Sequence, residues 1–419
     1  WMCVAQGALS HLKVLDMSRV LAGPWASQTL GDMGAEIWKI ERPGSGDETR
    51  SWGPPFVQEP DGDVPGISAY FANVNRNKKS IALDFTIEEG ARLIHQLAGE
   101  ADILIENFKV GGLAKYGLDY ASLSKDYPHL IYCSVTGFGQ DGPDASRAGY
   151  DFMIQGMSGL MSVTGEPKDA GGMPVKAGVA LIDILTGLNA SVAILVAVEH
   201  RNKTGQGQHI DLSLFDVGVA SLANQALNYL VSDVPPQRMG NAHPNIVPYQ
   251  AFETADSHII LAVGNDSQFQ RFCAVAGQPE LAEDSRFSTN INRVISRDIL
   301  VPLLEPLLRE DTTDNWLTRL ASVSVPAGPG NDLACVFDEP QARHRGLARI
   351  ADAEDGVHSV SHPMVASPLR LSETPASTRL PAPFLGAHTK HVLQTVLGLA
   401  DDTISQLEER GIIQSAHDS

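Results

Sequence analysis

The sequence predicts an α/β protein built on a parallel sheet, with a second, smaller unit set into the chain. Three observations carry this. Short β-branched runs alternate with helix-length apolar repeats from Lys13 to Val135, a long apolar segment without proline runs from Leu181 to His200, and a separate group of strand and helix signals lies at residues 241–325. Strand alternating with helix is the pattern of a parallel sheet covered by helices.

Lys13–Met17 reads as a strand, Gly23-Pro24 as a turn, and Trp25–Leu30 as a helix that breaks at Gly31–Gly34. Ala35–Glu41 is a second strand, completing a βαβ unit. Its acidic end at Glu41 invites a dinucleotide reading, but the first turn has one glycine followed by proline, which denies the pyrophosphate a close backbone approach. Residues 44–74 are rich in Gly, Pro and Asp and read as loops. Asn75-Arg-Asn-Lys-Lys-Ser then carries cations into a strand, either as a solvated edge or as a phosphate contact. Residues 87–99 repeat apolar positions at helical spacing, and Asp102–Asn107 follows as a buried strand. After a helix near Tyr120–Tyr127 and a strand at Leu130–Val135 comes Gly137-Phe-Gly139-Gln-Asp-Gly142. Pro143 stands where a dinucleotide motif would open its helix, so this reads as a flexible glycine-rich loop.

Leu181–His200 reads as one helix buried on most sides. Asp183 is its anomaly: a lone carboxylate in an apolar first turn is either a cap for backbone N–H groups or a reactive group held out of bulk water. Arg147-Ala-Gly-Tyr150-Asp151 adds a cation, a phenol and a second carboxylate. His209–Phe215 is a further strand. Organised by these elements, residues 1–205 form the first part of a large α/β domain, 206–240 a linker and 241–325 a small domain. Residues 326–419 are then a Pro/Gly-rich return followed by the rest of the large domain, closing with a helix at His388–Leu397. Within the small domain, strands are expected at Gln250–Thr254 and His258–Val263 and helices at Phe269–Ala276, Arg297–Leu308 and Asn315–Ala321.

Composition narrows the function classes. The 419 residues carry a formal charge of −19 and an isoelectric point near 5.0, so the whole-molecule field repels phosphate and argues against a nucleic-acid or anionic-membrane partner. Any phosphate ligand needs a local basic pocket. Cysteines at 3, 133, 273 and 335 form no Cys-x-x-Cys pair and suggest neither a disulfide framework nor a zinc site, which points to a cytosol-like compartment. Near Asp183 the longest purely apolar run is Val192–Val198, short of a membrane span, and residues 1–8 lack the regions of a signal peptide. Trp1–Gln6 reads as a frayed start or an added remnant.

Several motifs jointly resemble the family III CoA-transferases. They are Arg19-Val-Leu-Ala-Gly-Pro, Trp38-Lys-Ile-Glu-Arg-Pro-Gly-Ser-Gly-Asp, Asn75-Arg-Asn-Lys-Lys-Ser-Ile, Ile105-Glu-Asn-Phe, Arg147-Ala-Gly-Tyr-Asp, the Asp183 block with Lys203-Thr-Gly-Gln-Gly-Gln, and the closing Leu385-Gly-Ala-His-Thr. The resemblance implies a Rossmann-like large domain, a smaller α+β domain, and an interlocked, ring-like homodimer. It implies that Asp183 attacks an acyl-CoA thioester and passes through aspartyl anhydride and aspartyl-CoA intermediates. Coenzyme A enters as a thioester substrate, with no tightly bound cofactor and no metal. The CoA contacts it implies are Val20, Leu21, Arg42, Leu83, Asn107, Lys115 and Arg147, with Tyr150, Asp151 and His243 also candidates for the substrate site. A cytoplasmic location is implied, or the mitochondrial matrix in a eukaryote.

Two departures bear on the substrate. The formyl-CoA:oxalate branch carries four successive glycines where this chain has Gly240-Asn-Ala-His243-Pro-Asn, which speaks against oxalate. The α-methylacyl-CoA racemases of the same fold use a histidine where this chain has Tyr150, and a phenol with pKa near 10 suits α-proton abstraction poorly. A racemase-like enzyme and a non-catalytic CoA-binding protein remain the alternatives. Across Arg19-Val-Leu-Ala-Gly-Pro, Arg50-Ser-Trp-Gly-Pro-Pro-Phe-Val, Asn75-Arg-Asn-Lys-Lys-Ser and Ile246-Val-Pro-Tyr-Gln-Ala-Phe the chain resembles most the branch that moves CoA between succinate and dicarboxylates such as glutarate, so the expected donor is succinyl-CoA and the acceptor a C4–C6 dicarboxylate. Arg19, Arg50, Arg76 and His243 are candidates to hold its second carboxylate, since an unpaired buried charge costs several kcal/mol.

Overall fold

The computed structural model describes residues 7–57, 67–353 and 359–416, so the reading of Trp1–Gln6 lies outside the described residues. The chain divides into two compact units, one made of Trp1–Gly159, Ala177–Ala226 and Gln341–Ser419, the other of Leu160–Lys176 and Leu227–Pro340.

The first unit is built on a seven-stranded sheet. Its parallel strands are β1 (Lys13–Asp16), β2 (Glu36–Glu41), β3 (Lys78–Leu83), β4 (Ile103–Glu106), β5 (Ile131–Thr136) and β6 (His209–Ser213), in the spatial order β3-β2-β1-β4-β5-β6. Ile413–Gln414 pairs antiparallel with β3 at the edge. This is the doubly wound order, whose direction of winding reverses between β1 and β4. The helices that cover it are α1 (Ala22–Asp32), α2 (Ala69–Val74), α3 (Glu88–Glu100), α4 (Tyr120–Asp126), α5 (Asp151–Met157) and α6 (Leu181–Thr204), followed by the closing helices Thr389–Leu397 and Asp401–Glu409. On one face Leu15, Trp38, Ile81 and Leu104 pack with Leu93, Ile94 and Leu97 of α3 and with Leu393 and Leu407 of the closing helices. On the other lie α1 and α6.

That second face is ionic where a parallel sheet is usually apolar. Asp16, Lys39 and Lys78 are fully buried, Glu41 nearly so, and Lys78 Nζ lies 3.1 Å from Asp16 while Arg50 clamps Glu41 through two nitrogens at 2.7 Å. The cations of residues 75–80 are therefore neither a solvated edge nor a phosphate site. Arg76 pairs with Asp32 at the end of α1 at 2.6 Å, Lys78 reaches across β2 to Asp16 of β1, and Lys79 pairs with Glu36 of the neighbouring β2.

Three other expectations shift. Helix α1 opens at Ala22, not Trp25, because Pro24 sits in the first turn where an N–H has no partner to lose. The stretch 44–74 holds a 3₁₀ turn at Glu48–Ser51, capped by Asp47, and α2, capped by Ser68. In the second unit β7 (Tyr249–Glu253), β8 (His258–Ala262) and β9 (Ala327–Pro329) form an antiparallel sheet, so part of the Pro/Gly-rich return is an edge strand, the position that tolerates proline. Helices Asp266–Val275, Arg297–Leu308 and Thr313–Ser322 fall where apolar spacing puts them, and Phe269, Phe272, Leu304 and Trp316 close this unit's core.

Candidate active site

In a doubly wound sheet the crevice lies outside the carboxyl ends of the strands, at the point of reversal. A pocket of about 260 Å³ occupies that place. Val20 and Leu21 reach it from the end of β1, Asn107 from β4, Gly137 from β5, and Arg147, Tyr150 and Asp183 close it. The glycine-rich stretch after β5 is not a loose loop. A Cβ on Gly137 would lie 2.6 Å from the Gly149 Cα, so two bare backbones cross here and fix Arg147 and Tyr150 against the strand end.

Asp183 stands in the first turn of the 24-residue α6. It caps nothing: the helix N-cap is Ala180, and the capping carboxylate comes from Asp151. One Asp151 oxygen accepts the backbone N–H groups of Ile182 (2.8 Å) and Asp183 (3.2 Å), while the other accepts the Gln155 amide at 2.6 Å. Gln155 in turn accepts the N–H of Ala177 at 2.8 Å, which ties down the chain entering α6. Asp151 thus lies beneath the pocket as a support. The close packing of α6 on α1 is set at Gly187, where a Cβ would lie 2.7 Å from the Ala22 carbonyl and 2.8 Å from the Trp25 side chain.

The Asp183 carboxyl is pushed up to about 7, first by burial and then by the charge of Asp151. The helix dipole favours the anion at this end by about 0.3–1 kcal/mol, which is too little to offset the loss of water. Tyr70, which sequence reading missed, shares this field. Its hydroxyl is pushed up to about 12 by burial and then by Asp183 and Asp151, and its ring meets Trp52 edge-on at 5.1 Å. Trp52 lies in the matched stretch Arg50-Ser-Trp-Gly-Pro-Pro-Phe-Val, Tyr70 lies in none, and burial next to two carboxylates is invisible in sequence.

Along the same sheet edge lies a second pocket, lined by Arg42, Leu83, Phe85 and Phe108. Arg19, Glu48 and Phe108 border both pockets, and Arg19 pairs with Glu48 at 3.2 Å between them. Arg42 is exposed and Leu83 buried at the end of β3. Arg147 stacks 4.9 Å over Phe138 and pairs with Asp144 at 3.0 Å. Of the remaining sequence candidates, Lys115 is not brought to this edge pair of pockets; it faces a separate groove, over the ring of Tyr116. His243 belongs to the other unit, where its ring accepts the N–H of Asn245 and meets Tyr249 at 5.3 Å. Among the arginines expected to face a distal carboxylate, Arg50 and Arg76 are spent on Glu41 and Asp32, and only Arg19 borders the Asp183 pocket. Among the described residues, no group of three or more His, Cys, Asp or Glu is placed to hold a metal ion.

A family model for CoA-transferase family III matches residues 9–389. The chain belongs to CoA-transferase family III. It is 49% identical over 385 residues, 92% of this chain and 94% of the relative, to a succinate–glutarate CoA-transferase of Agrobacterium fabrum. It is 43% identical over 418 residues to the succinyl-CoA:glutarate CoA-transferase of Mus musculus, covering 98% of this chain and 92% of that one. Among solved structures, a CAIB/BAIF family protein from Brucella suis superimposes with a TM-score of 0.80 at 49% identity, covering 93% of this chain and all of that one (100%). Membership in family III makes the protein a CoA-transferase, with a CoA thioester as substrate.

Proposed function

We propose that the protein moves CoA from succinyl-CoA to a C4–C6 dicarboxylate, glutarate first among them, with Asp183 as the nucleophile. The observation that carries this reading is the Asp183 carboxylate itself, half-buried, raised to about 7 and accepting no hydrogen bond among the described residues, at the mouth of a pocket on the sheet edge. A carboxylate stripped of water is a stronger nucleophile than one in solution. Its oxygen adds to the thioester carbonyl, the C–S bond breaks, and an acyl-aspartyl anhydride and CoA thiolate result. The thiolate then attacks the aspartyl carbonyl and expels the donor acid, leaving aspartyl-CoA. The acceptor carboxylate forms a second anhydride, and the thiolate takes its acyl group and frees Asp183.

The CoA moiety lies, on this reading, along the carboxyl edge of the sheet, with the thioester against Val20, Leu21 and Asn107 and the nucleotide end toward Arg42 and Leu83. Arg19 is the cation best placed for the distal carboxylate, exchanging Glu48 for the substrate as it binds. The relatives named for succinate and glutarate support the same donor and acceptor. A second copy of the chain covers the outer face of α6, where Leu188, Val192, Leu195 and Val196 stand exposed at helical spacing, Val192 and Val196 each 62%. The inner face of this helix packs on α1, as a core helix does, although its length and apolar character alone would suffice to cross a membrane.

The substrate assignment is tested by offering succinyl-CoA with a panel of acids and identifying the CoA esters by mass spectrometry. Glutarate and its close homologues are expected to be the best acceptors, and Arg19→Ala is expected to raise KM for them more than for a monocarboxylate. A preference for oxalate or an aromatic monocarboxylate would overturn the dicarboxylate assignment and leave the family standing.

A further inference from the structure

The residues that join β1 to α1 have no secondary structure of their own, yet every backbone group of Ser18 and Arg19 is taken by a side chain. The Ser18 N–H donates to Asp16 at 3.0 Å, and its carbonyl accepts Lys39 Nζ at 3.0 Å. Asn107 accepts the Arg19 N–H at 3.0 Å and donates to its carbonyl at 2.7 Å. Val20 leans its N–H on both oxygens of Asp47, at 3.3 and 3.4 Å. Val20 also has φ +71°, a left-handed conformation that a β-branched residue resists. Something must hold it there.

Lys39 and Asp47 are the groups that do so from below. They pair at 3.0 Å and both side chains are fully buried. Burial alone would lower the Lys39 ammonium, but Asp47, Asp16 and Glu41 hold it charged above its usual range. Asp47 also accepts the N–H and hydroxyl of Thr49, and its own N–H donates to Glu41 at 3.0 Å. The pair is thus anchored on β2 and on the turn before α2, and it reaches the backbone of the one loop that presents Val20 and Leu21 to Asp183. Stability is a poor account of such a pair, because a buried ion pair replaced by apolar groups of like volume is often neutral or stabilising.

We propose that Lys39 and Asp47 are positioning residues for acyl-CoA: they hold Val20 in its left-handed conformation, so that the wall of the Asp183 pocket is formed before substrate arrives. This rests on the reading of that pocket as the acyl-CoA site. Loss of the pair should raise KM for acyl-CoA while the fold survives, because a loop that must be ordered on binding weakens it.

Two double variants separate positioning from stability. Lys39→Met with Asp47→Leu removes both charges and the acceptor for Val20, whereas Lys39→Met with Asp47→Asn keeps an acceptor. At matched melting temperature the first is expected to raise KM for succinyl-CoA at least tenfold, and the second to recover most of that loss. Equal KM in both variants and the wild type, with normal CoA binding by the wild type, would overturn the proposal and leave the site reading intact. A wild type that binds no CoA would instead overturn the site reading. Should the leucine variant not fold, hydrogen exchange of the wild-type segment 17–24 decides the matter. Protection of Arg19 and Val20 without CoA, close to that of α1, is expected; free exchange that CoA alone suppresses would contradict a preformed loop.

Discussion

At the level of single residues, the proposed mechanism distinguishes two aspartates that sequence shows as equals and the fold separates. Asp151 spends its oxygens on the N–H groups of Ile182 and Asp183 and on Gln155, while the Asp183 carboxylate has no partner among the described residues. A carboxyl raised from 3.8 to about 7 binds its proton more tightly folded than unfolded, so the ionised form costs stability above pH 7 and nothing below about 3.8. A tenfold change in proton affinity is worth about 1.4 kcal/mol, which puts the penalty on the order of 1–4 kcal/mol. Asp183→Asn is therefore expected to melt higher than wild type at pH 8, with the gap closing as the pH falls through 7 toward 4. Equal melting temperatures at pH 8 would place this carboxylate in bulk water. On the proposed mechanism turnover needs the anion, so it should rise with pH through about 7. Asp183 was legible as an anomaly in an apolar helix, but its lack of a capping role was not, because the true cap stands 32 residues earlier in the chain.

At the scale of elements, the close approach of α6 to α1 decides where Asp183 sits. Substituting alanine for glycine in an exposed helix gains up to about 1 kcal/mol. At Gly187 the new methyl would meet the Ala22 carbonyl at 2.7 Å, and backbone does not step aside cheaply. Overpacking of this kind costs about 1–3 kcal/mol, so the clash wins. Gly187→Ala is expected to lower the melting temperature and, by moving Asp183 from Leu21, to cut turnover more than it cuts CoA binding. A stabilised, fully active variant would contradict this account of the packing. Strands and most helices were readable because their periods are local: Ile103–Glu106 and Thr313–Ser322 fall within a few residues of their apolar pattern. The start of α1 was hidden by Gly23-Pro24, a pair that signals a turn as readily as a helix's first turn.

For the whole molecule, the sheet order turns scattered motifs into one edge. Reversal between β1 and β4 gathers Val20, Asn107 and Arg147, which lie in three separate motifs, around one pocket. The ionic layer beneath it was not legible, since Lys78 and Asp16 are 62 residues apart and a cation run reads as surface until the strands are aligned. Two further candidates stand elsewhere in the chain's organisation: Lys115 lines a groove of its own, and His243 belongs to the second compact unit. The exposed stripe on α6 carries the expectation of a second copy of the chain. Val192→Glu should convert a dimer in light scattering into monomer or aggregate, and a wild type that is monomeric at micromolar concentration would contradict it.

On the proposed mechanism the Asp183 carboxylate forms the covalent link. Incubation with succinyl-CoA, a hydroxylamine or borohydride trap, digestion and mass spectrometry test it directly. The peptide that contains Asp183 is expected to carry the trapped group at that residue, and Asp183→Ala to carry none and to transfer no CoA while still binding it. Full turnover by Asp183→Ala, or a trapped group on another carboxylate, would contradict the account.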